Sequence, residues 1–147
     1  MARVALLDVN VLVALFYAEH VHHELAHDWF ADHRQAGWST CPITENGFVR
    51  VASQLTRGET AVRPGVIVEH LRRFCSDDRH HFWPDSVSIT DPAVFDQAMI
   101  RGHRQLTDIY LLGLARSMDG CLVTFDGTIP VRAVVGATRN HLAVVST

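Results

Sequence analysis

Lysine is absent: all 13 basic side chains among the 147 residues are arginine. A Walker-type phosphate loop and a Schiff-base lysine both require the missing amine, so both chemistries are excluded. Planar, bidentate contact between arginine and phosphate stays open. Cysteine is scarce. Cys41, Cys75 and Cys121 form no close pair, a pattern typical of a reduced compartment, and they read as small buried hydrophobes. Long apolar runs are missing as well. Residues 11–18 form the longest, which is too short to span a bilayer, and Asp8 and Asn10 interrupt any signal-peptide reading. A cytoplasmic protein without a membrane partner is therefore expected. No internal repeat or low-complexity tract is present.

The composition is globular, 48% hydrophobic and 20% charged, and 147 residues suit one domain spanning 1–147. A net charge of -3 argues against indiscriminate electrostatic binding to nucleic acid. Setting aside four acids discussed below, 16 − 4 = 12 acids face 13 arginines, so the remaining surface is close to neutral.

The chain is organised around Val4-Ala5-Leu6-Leu7-Asp8, where four apolar residues end on a carboxylate. Such a run suits a strand buried on both faces. Further strands are expected at Trp38–Cys41, around Phe82-Trp83-Pro84, at Cys121–Thr124 and at Leu142–Val145. Helices are expected over Val11–Ala18, over Val21–Gln35 ended by Gly37, from Pro42 to about Gly58, and from Pro64 to about Ser76. Two more are expected, one from Asp91-Pro92 to Gly102 and one capped by Thr107 and closed by Asp119-Gly120. Alternating strands and helices imply an α/β fold, a three-layer sandwich with a mainly parallel central sheet.

His23-Glu24-Leu25-Ala26-His27 matches the H-E-x-x-H zinc motif, in which two imidazoles share a helix face beside a glutamate base. Phe30 stands where the extended motif has glycine, and no third ligand follows at a recognisable spacing. A solvated helix face is the expected role. A zinc hydrolase using His23, Glu24 and His27 is the remote alternative.

Asp8 and Asp126 end strands, whereas Glu45 and Asp108 fall in first turns of helices. In a parallel sheet these positions share one edge, so the four acids can converge. Clustered carboxylates repel without a cation between them, and an all-oxygen set favours Mg²⁺ or Mn²⁺ over zinc. Such a site suits phosphodiester hydrolysis. Each acid also has a plainer reading, as a helix cap or a carboxylate favoured by a helix dipole.

Leu7-Asp8-Val9-Asn10-Val11-Leu12, Pro42-Ile43-Thr44-Glu45, Leu106-Thr107-Asp108-Ile109-Tyr110-Leu111 and Thr124-Phe125-Asp126 together resemble a PIN-domain ribonuclease, specifically a VapC-type toxin of a bacterial toxin–antitoxin pair. The resemblance covers essentially the whole chain. It implies that Asp8, Glu45 and Asp108 bind metal, that Asp126 contributes at the fourth position, and that Asn10 and Thr124 are supporting polar residues. It implies a homodimer, a cognate antitoxin lying across the toxin surface, and transfer or ribosomal RNA loops as substrate. A non-catalytic PIN-like binding module is the alternative, and it would have lost one or more acids. A haloacid-dehalogenase-like phosphatase needs a second aspartate where Asn10 stands, and a lysine.

Overall fold

Ala5, Leu6 and Leu7 are all buried because the strand they form, β1 (Ala5–Leu7), runs through the middle of a sheet covered on both faces. The computed structural model describes residues 3–56, 58 and 61–146. Around β1 lie β2 (Trp38–Thr40), β3 (His80–Phe82), β4 (Cys121–Thr124) and β5 (Leu142–Val144). The order is β3-β2-β1-β4-β5, with every pairing parallel.

The strand pleat divides the core in two, because successive side chains point to opposite faces. Ala5, Leu7, Trp38, Cys121 and Val123 join one cluster with α1 (Val9–Phe16), α2 (His23–His33), α3 (Pro42–Leu55) and α4 (Pro64–Phe74). Leu6, Leu122 and Leu142 join the other with α5 (Leu106–Ser117), whose Ile109, Leu111, Leu112 and Leu114 are buried. The result is the expected three-layer α/β sandwich. From β1 the chain winds outward to β3, then returns to place β4 on the opposite side of β1. The winding direction thus reverses between β1 and β4, where open α/β sheets form their ligand crevice. Among the described residues no helix is long and apolar enough to cross a membrane.

Local chemistry fixes the elements that reach this edge. Gly37 takes φ +95° ahead of β2, a conformation disfavoured for other residues. Pro42 opens α3, and the Cys41 N–H donates to Thr44 Oγ1 at 2.9 Å while that hydroxyl donates to the Cys41 carbonyl at 3.1 Å. These bonds pin the turn that carries Glu45.

Several sequence expectations need correction. Asp91–Gly102 is not a helix: Asp91 folds back to accept from the Ala93 N–H, and a 3₁₀ turn covers only Gln97–Met99. Tertiary pairing overrides the local signal. The Asp96 N–H donates to the Ala133 carbonyl at 2.9 Å and the Val135 N–H to the Val94 carbonyl at 2.8 Å, which seats Phe95 against Gly113 of α5. Strand β3 starts two residues earlier than Phe82, because Trp83 leaves the strand for the α5-side core. Val21 is 85% exposed, and α2 begins only at His23. Thr107 lies inside α5 rather than capping it, whereas Asp119-Gly120 does close the helix as expected, with Asp119 taking the left-handed turn at φ +57°.

Candidate active site

Asp8 follows β1 directly and occupies the N-cap position of α1, yet its side chain makes no capping hydrogen bond. Its Oδ2 accepts from Thr124 Oγ1 at 2.9 Å, across the switch point from the end of β4. The same Thr124 oxygen accepts from the Asp126 N–H at 3.1 Å. One hydroxyl therefore ties two acids of neighbouring strands together. Asp126 is braced further by Thr128, whose N–H and hydroxyl donate to its Oδ1 at 2.8 and 2.6 Å. Gln105 Nε2 donates to the Thr128 carbonyl and hydroxyl, both at 3.0 Å, and so couples this loop to the start of α5. Asp108 lies in the first turn of that helix.

Electrostatics shows that these acids sense one another. Burial raises the Asp8 carboxyl above its usual range, the Thr124 hydroxyl and Val9 amide pull it down, and the Asp126 charge adds to the rise. Asp108 is pushed up to about 6, first by burial and then by the charges of Asp8 and Asp126. Asp8 is only 7% exposed. A buried carboxylate without a cationic partner is costly, and no ion pair among the described residues reaches Asp8, Glu45, Asp108 or Asp126.

Glu45 stands apart from this trio. Its Oε2 accepts from Thr40 Oγ1 at 2.6 Å, and the Thr40 hydroxyl also lies 2.8 Å from His80 Nε2. The charges that act on Asp8 and Asp108 do not include Glu45, whereas Cys75 does feel it, and burial raises that thiol to about 11. Asn10 is exposed in the first turn of α1. Thr40, Cys75, His80, Gln105 and Thr128 carry no sequence motif that marks them. Their only hint is a conspicuous position, at a strand end, beside a cysteine or after Asp126.

The donor set suits a hard divalent cation. Asp8, Asp108 and Asp126 offer only oxygen, and each anchored carboxylate keeps one oxygen outside its anchoring bond. Among the described residues only Glu45, Cys75 and His80 bring three ligand atoms within 4.8 Å of one another, so the aspartates are more widely spaced.

The histidine motif is structural. His23 Nδ1 lies 2.6 Å from the Ala14 carbonyl and His27 Nε2 lies 2.9 Å from the Leu15 carbonyl, so both rings donate to the last turn of α1. They satisfy free helix carbonyls and bind α2 to α1. Glu24 and His27 are exposed, as expected of a solvated helix face, and the two rings anchor α2 to α1 in addition.

Comparison with known proteins agrees with this fold. The PIN domain family model matches residues 5–134. Ribonuclease VapC44 of Mycobacterium tuberculosis is 45% identical over 141 residues, covering 96% of this chain and 99% of the relative. Ribonuclease VapC39 of the same organism is 40% identical over 132 residues, covering 90% and 95%. The crystal structure of Mycobacterium tuberculosis VapC20, a sarcin-ricin loop cleaving toxin, superposes with a TM-score of 0.61 at 13% identity, covering 89% of this chain and 96% of that one. At that identity the likeness shows the fold. The chain belongs to the PIN-domain family and, within it, is of the VapC type.

Proposed function

We propose that this chain is a divalent-metal-dependent endoribonuclease and the toxin of a toxin–antitoxin pair, with residues 1–147 acting as a single catalytic domain. The observation that carries the reading is the set of aspartates, Asp8, Asp108 and Asp126, in which burial and neighbouring acidic charge raise the Asp8 and Asp108 carboxyls and no ion pair among the described residues balances them. Asp8, Asp108 and Asp126 would hold Mg²⁺ or Mn²⁺, with Glu45 as the fourth carboxylate from the start of α3. A bound divalent ion there supplies charge neutralisation of the scissile phosphate and a lowered pKa for attacking water.

The chain's own residues supply preorganisation. Thr124 fixes Asp8 through Oδ2, and Thr128 fixes Asp126 through Oδ1, so each carboxylate presents its other oxygen with no rotamer search. Asn10, exposed two residues after Asp8, would be a supporting polar contact to substrate. Phe125 precedes Asp126, with the rings of His22 and His20 at 4.7 and 6.1 Å from its own. Aromatic faces beside the acids favour stacking of an unpaired base, as single-stranded loops of structured RNA present. Transfer and ribosomal RNA loops are the substrate class we assign, and a homodimer held by a cognate antitoxin is the expected assembly. Cys41, Cys75 and Cys121 are all free thiols, in keeping with action in the cytoplasm.

The test incubates purified protein with transfer RNA and ribosomal RNA and maps new 5′ ends by sequencing. Discrete cleavage that requires Mg²⁺ or Mn²⁺ and stops with a chelator is the expected result. Metal-independent cleavage, or none with any RNA, would point instead to a non-catalytic binding module.

A further inference from the structure

Glu45, Cys75 and His80 come from three different elements: the first turn of α3, the C-cap of α4 and the first residue of β3. Their ligand atoms nevertheless all lie within 4.8 Å of one another. Ligands on a tetrahedral zinc ion at bond lengths of about 2.0–2.3 Å are about 3.3–3.8 Å apart, so contraction of roughly 1 Å would complete the geometry. All three groups already meet at the Thr40 hydroxyl: it donates to Glu45 Oε2 at 2.6 Å, accepts from His80 Nε2 at 2.8 Å and hydrogen-bonds the Cys75 thiol. This leaves Glu45 Oε1 and His80 Nδ1 for a metal, and the Trp38 ring, 4.7 Å from the His80 ring, braces the imidazole. Such outer contacts are what fixes metal-binding side chains.

Access is provided as well. A cleft of about 430 Å³ opens onto Glu45 and Cys75, lined also by Val68, Leu71, Arg72 and Ser76. It leaves space for a water or exogenous ligand at a fourth position. Cys75 is half-buried at this cleft, whereas Cys41 and Cys121 are buried in the core. A thiolate, an imidazole and a carboxylate form a borderline-soft set that suits zinc, unlike the all-oxygen aspartates.

We propose that Glu45, Cys75 and His80 form a zinc site, distinct in chemistry from the aspartate site, and that its occupation inhibits the nuclease by holding Glu45. On binding, the Cys75 S–H bond breaks, its proton passes to solvent and the sulfur binds zinc, with no change of oxidation state. The inhibitory consequence rests on the nuclease reading given above; the binding itself does not. Two metals of different hardness would then compete for one glutamate, the hard ion to complete the catalytic set and zinc to withdraw it.

Chelator-stripped full-length protein titrated with Co²⁺, a spectroscopic stand-in for zinc, should develop a sulfur-to-cobalt charge-transfer band that saturates at one equivalent and is bleached by Zn²⁺. Cys75→Ser should abolish the band, and His80→Ala should weaken binding by about tenfold or more. Asp8→Asn and Asp108→Asn should retain it. Far-ultraviolet circular dichroism confirms that each variant is folded, and Cys75→Ala serves as a second thiol deletion. In the RNA-cleavage assay with Mg²⁺, the zinc concentration for half-inhibition should rise at least about tenfold in Cys75→Ser. No charge-transfer band in the wild type, or a band that persists without Cys75, overturns the site. Equal zinc inhibition of wild type and Cys75→Ser overturns the regulatory role. If no RNA is cleaved under any condition, the cobalt titration still decides the site, while the nuclease reading fails separately.

Discussion

Asp108→Asn should stabilise the metal-free protein at neutral pH, and this gain should disappear in acid. Burial and the charges of Asp8 and Asp126 push the Asp108 carboxyl from 3.8 to about 6 in the folded state. That displacement, at about 1.4 kcal/mol per pH unit, corresponds to roughly 3 kcal/mol between protonation states. Asp108 is only half-buried, and solvent screening reduces the effect on stability to about 1–2 kcal/mol. The sign follows from linkage: a carboxyl whose folded pKa is raised contributes its full stability below the unfolded value of 3.8, and that contribution is lost as pH rises through about 6. Asparagine imitates the protonated acid at every pH. Urea unfolding of wild type and Asp108→Asn in chelator, between pH 4 and pH 7.5, should show the variant about 1–2 kcal/mol more stable at pH 7.5 and equal to wild type near pH 4. Saturating Mg²⁺ should restore the wild type preferentially, because only the intact set gains binding energy. A variant less stable than wild type at pH 7.5, or a difference independent of pH, would refute the coupled-aspartate account.

Thr124→Val keeps the side-chain shape but removes the donor to Asp8 and the acceptor for the Asp126 N–H. It should cost about 1–3 kcal/mol in urea unfolding and about 10- to 100-fold in metal affinity by calorimetry. Gly113→Ala would drive a methyl group into the Phe95 ring. It should lower stability by about 1–3 kcal/mol without altering metal affinity, which separates packing from the site. Expression of the chain alone should arrest growth, and coexpression of a small neighbouring antitoxin should restore it; harmless expression of folded protein would contradict the toxin reading.

Much of this architecture was legible because burial leaves a pattern. The unbroken run before Asp8 and the Cys121–Thr124 strand mark a sheet covered on both faces, and Pro42, Pro64 and Gly37 set boundaries through backbone constraints that hold in any context. The Asp91–Gly102 segment misled because its helix signals are local, whereas its conformation is set by pairing with residues 133–135. The edge that carries the acids was readable because strand ends and helix starts share it in a parallel sheet. The inequality of the acids was not. Only three-dimensional contact shows that Thr124 joins Asp8 to Asp126, and that Thr40 draws Glu45 toward His80. The histidine motif shows the converse: its spacing is that of a zinc helix, yet its nitrogens serve the carbonyls of α1.

Mg²⁺-dependent RNA cleavage measured side by side in the acidic and histidine variants tests the central claim most directly. Asp8→Asn and Asp108→Asn should each reduce cleavage by about 100-fold or more, with Glu45→Gln and Asp126→Asn also impaired. His23→Ala and His27→Ala should stay within a few-fold of wild type and lose only about 1 kcal/mol of stability each, the worth of one hydrogen bond. Inactive histidine variants restored by zinc, together with active Asp8→Asn and Asp108→Asn, would contradict the assignment.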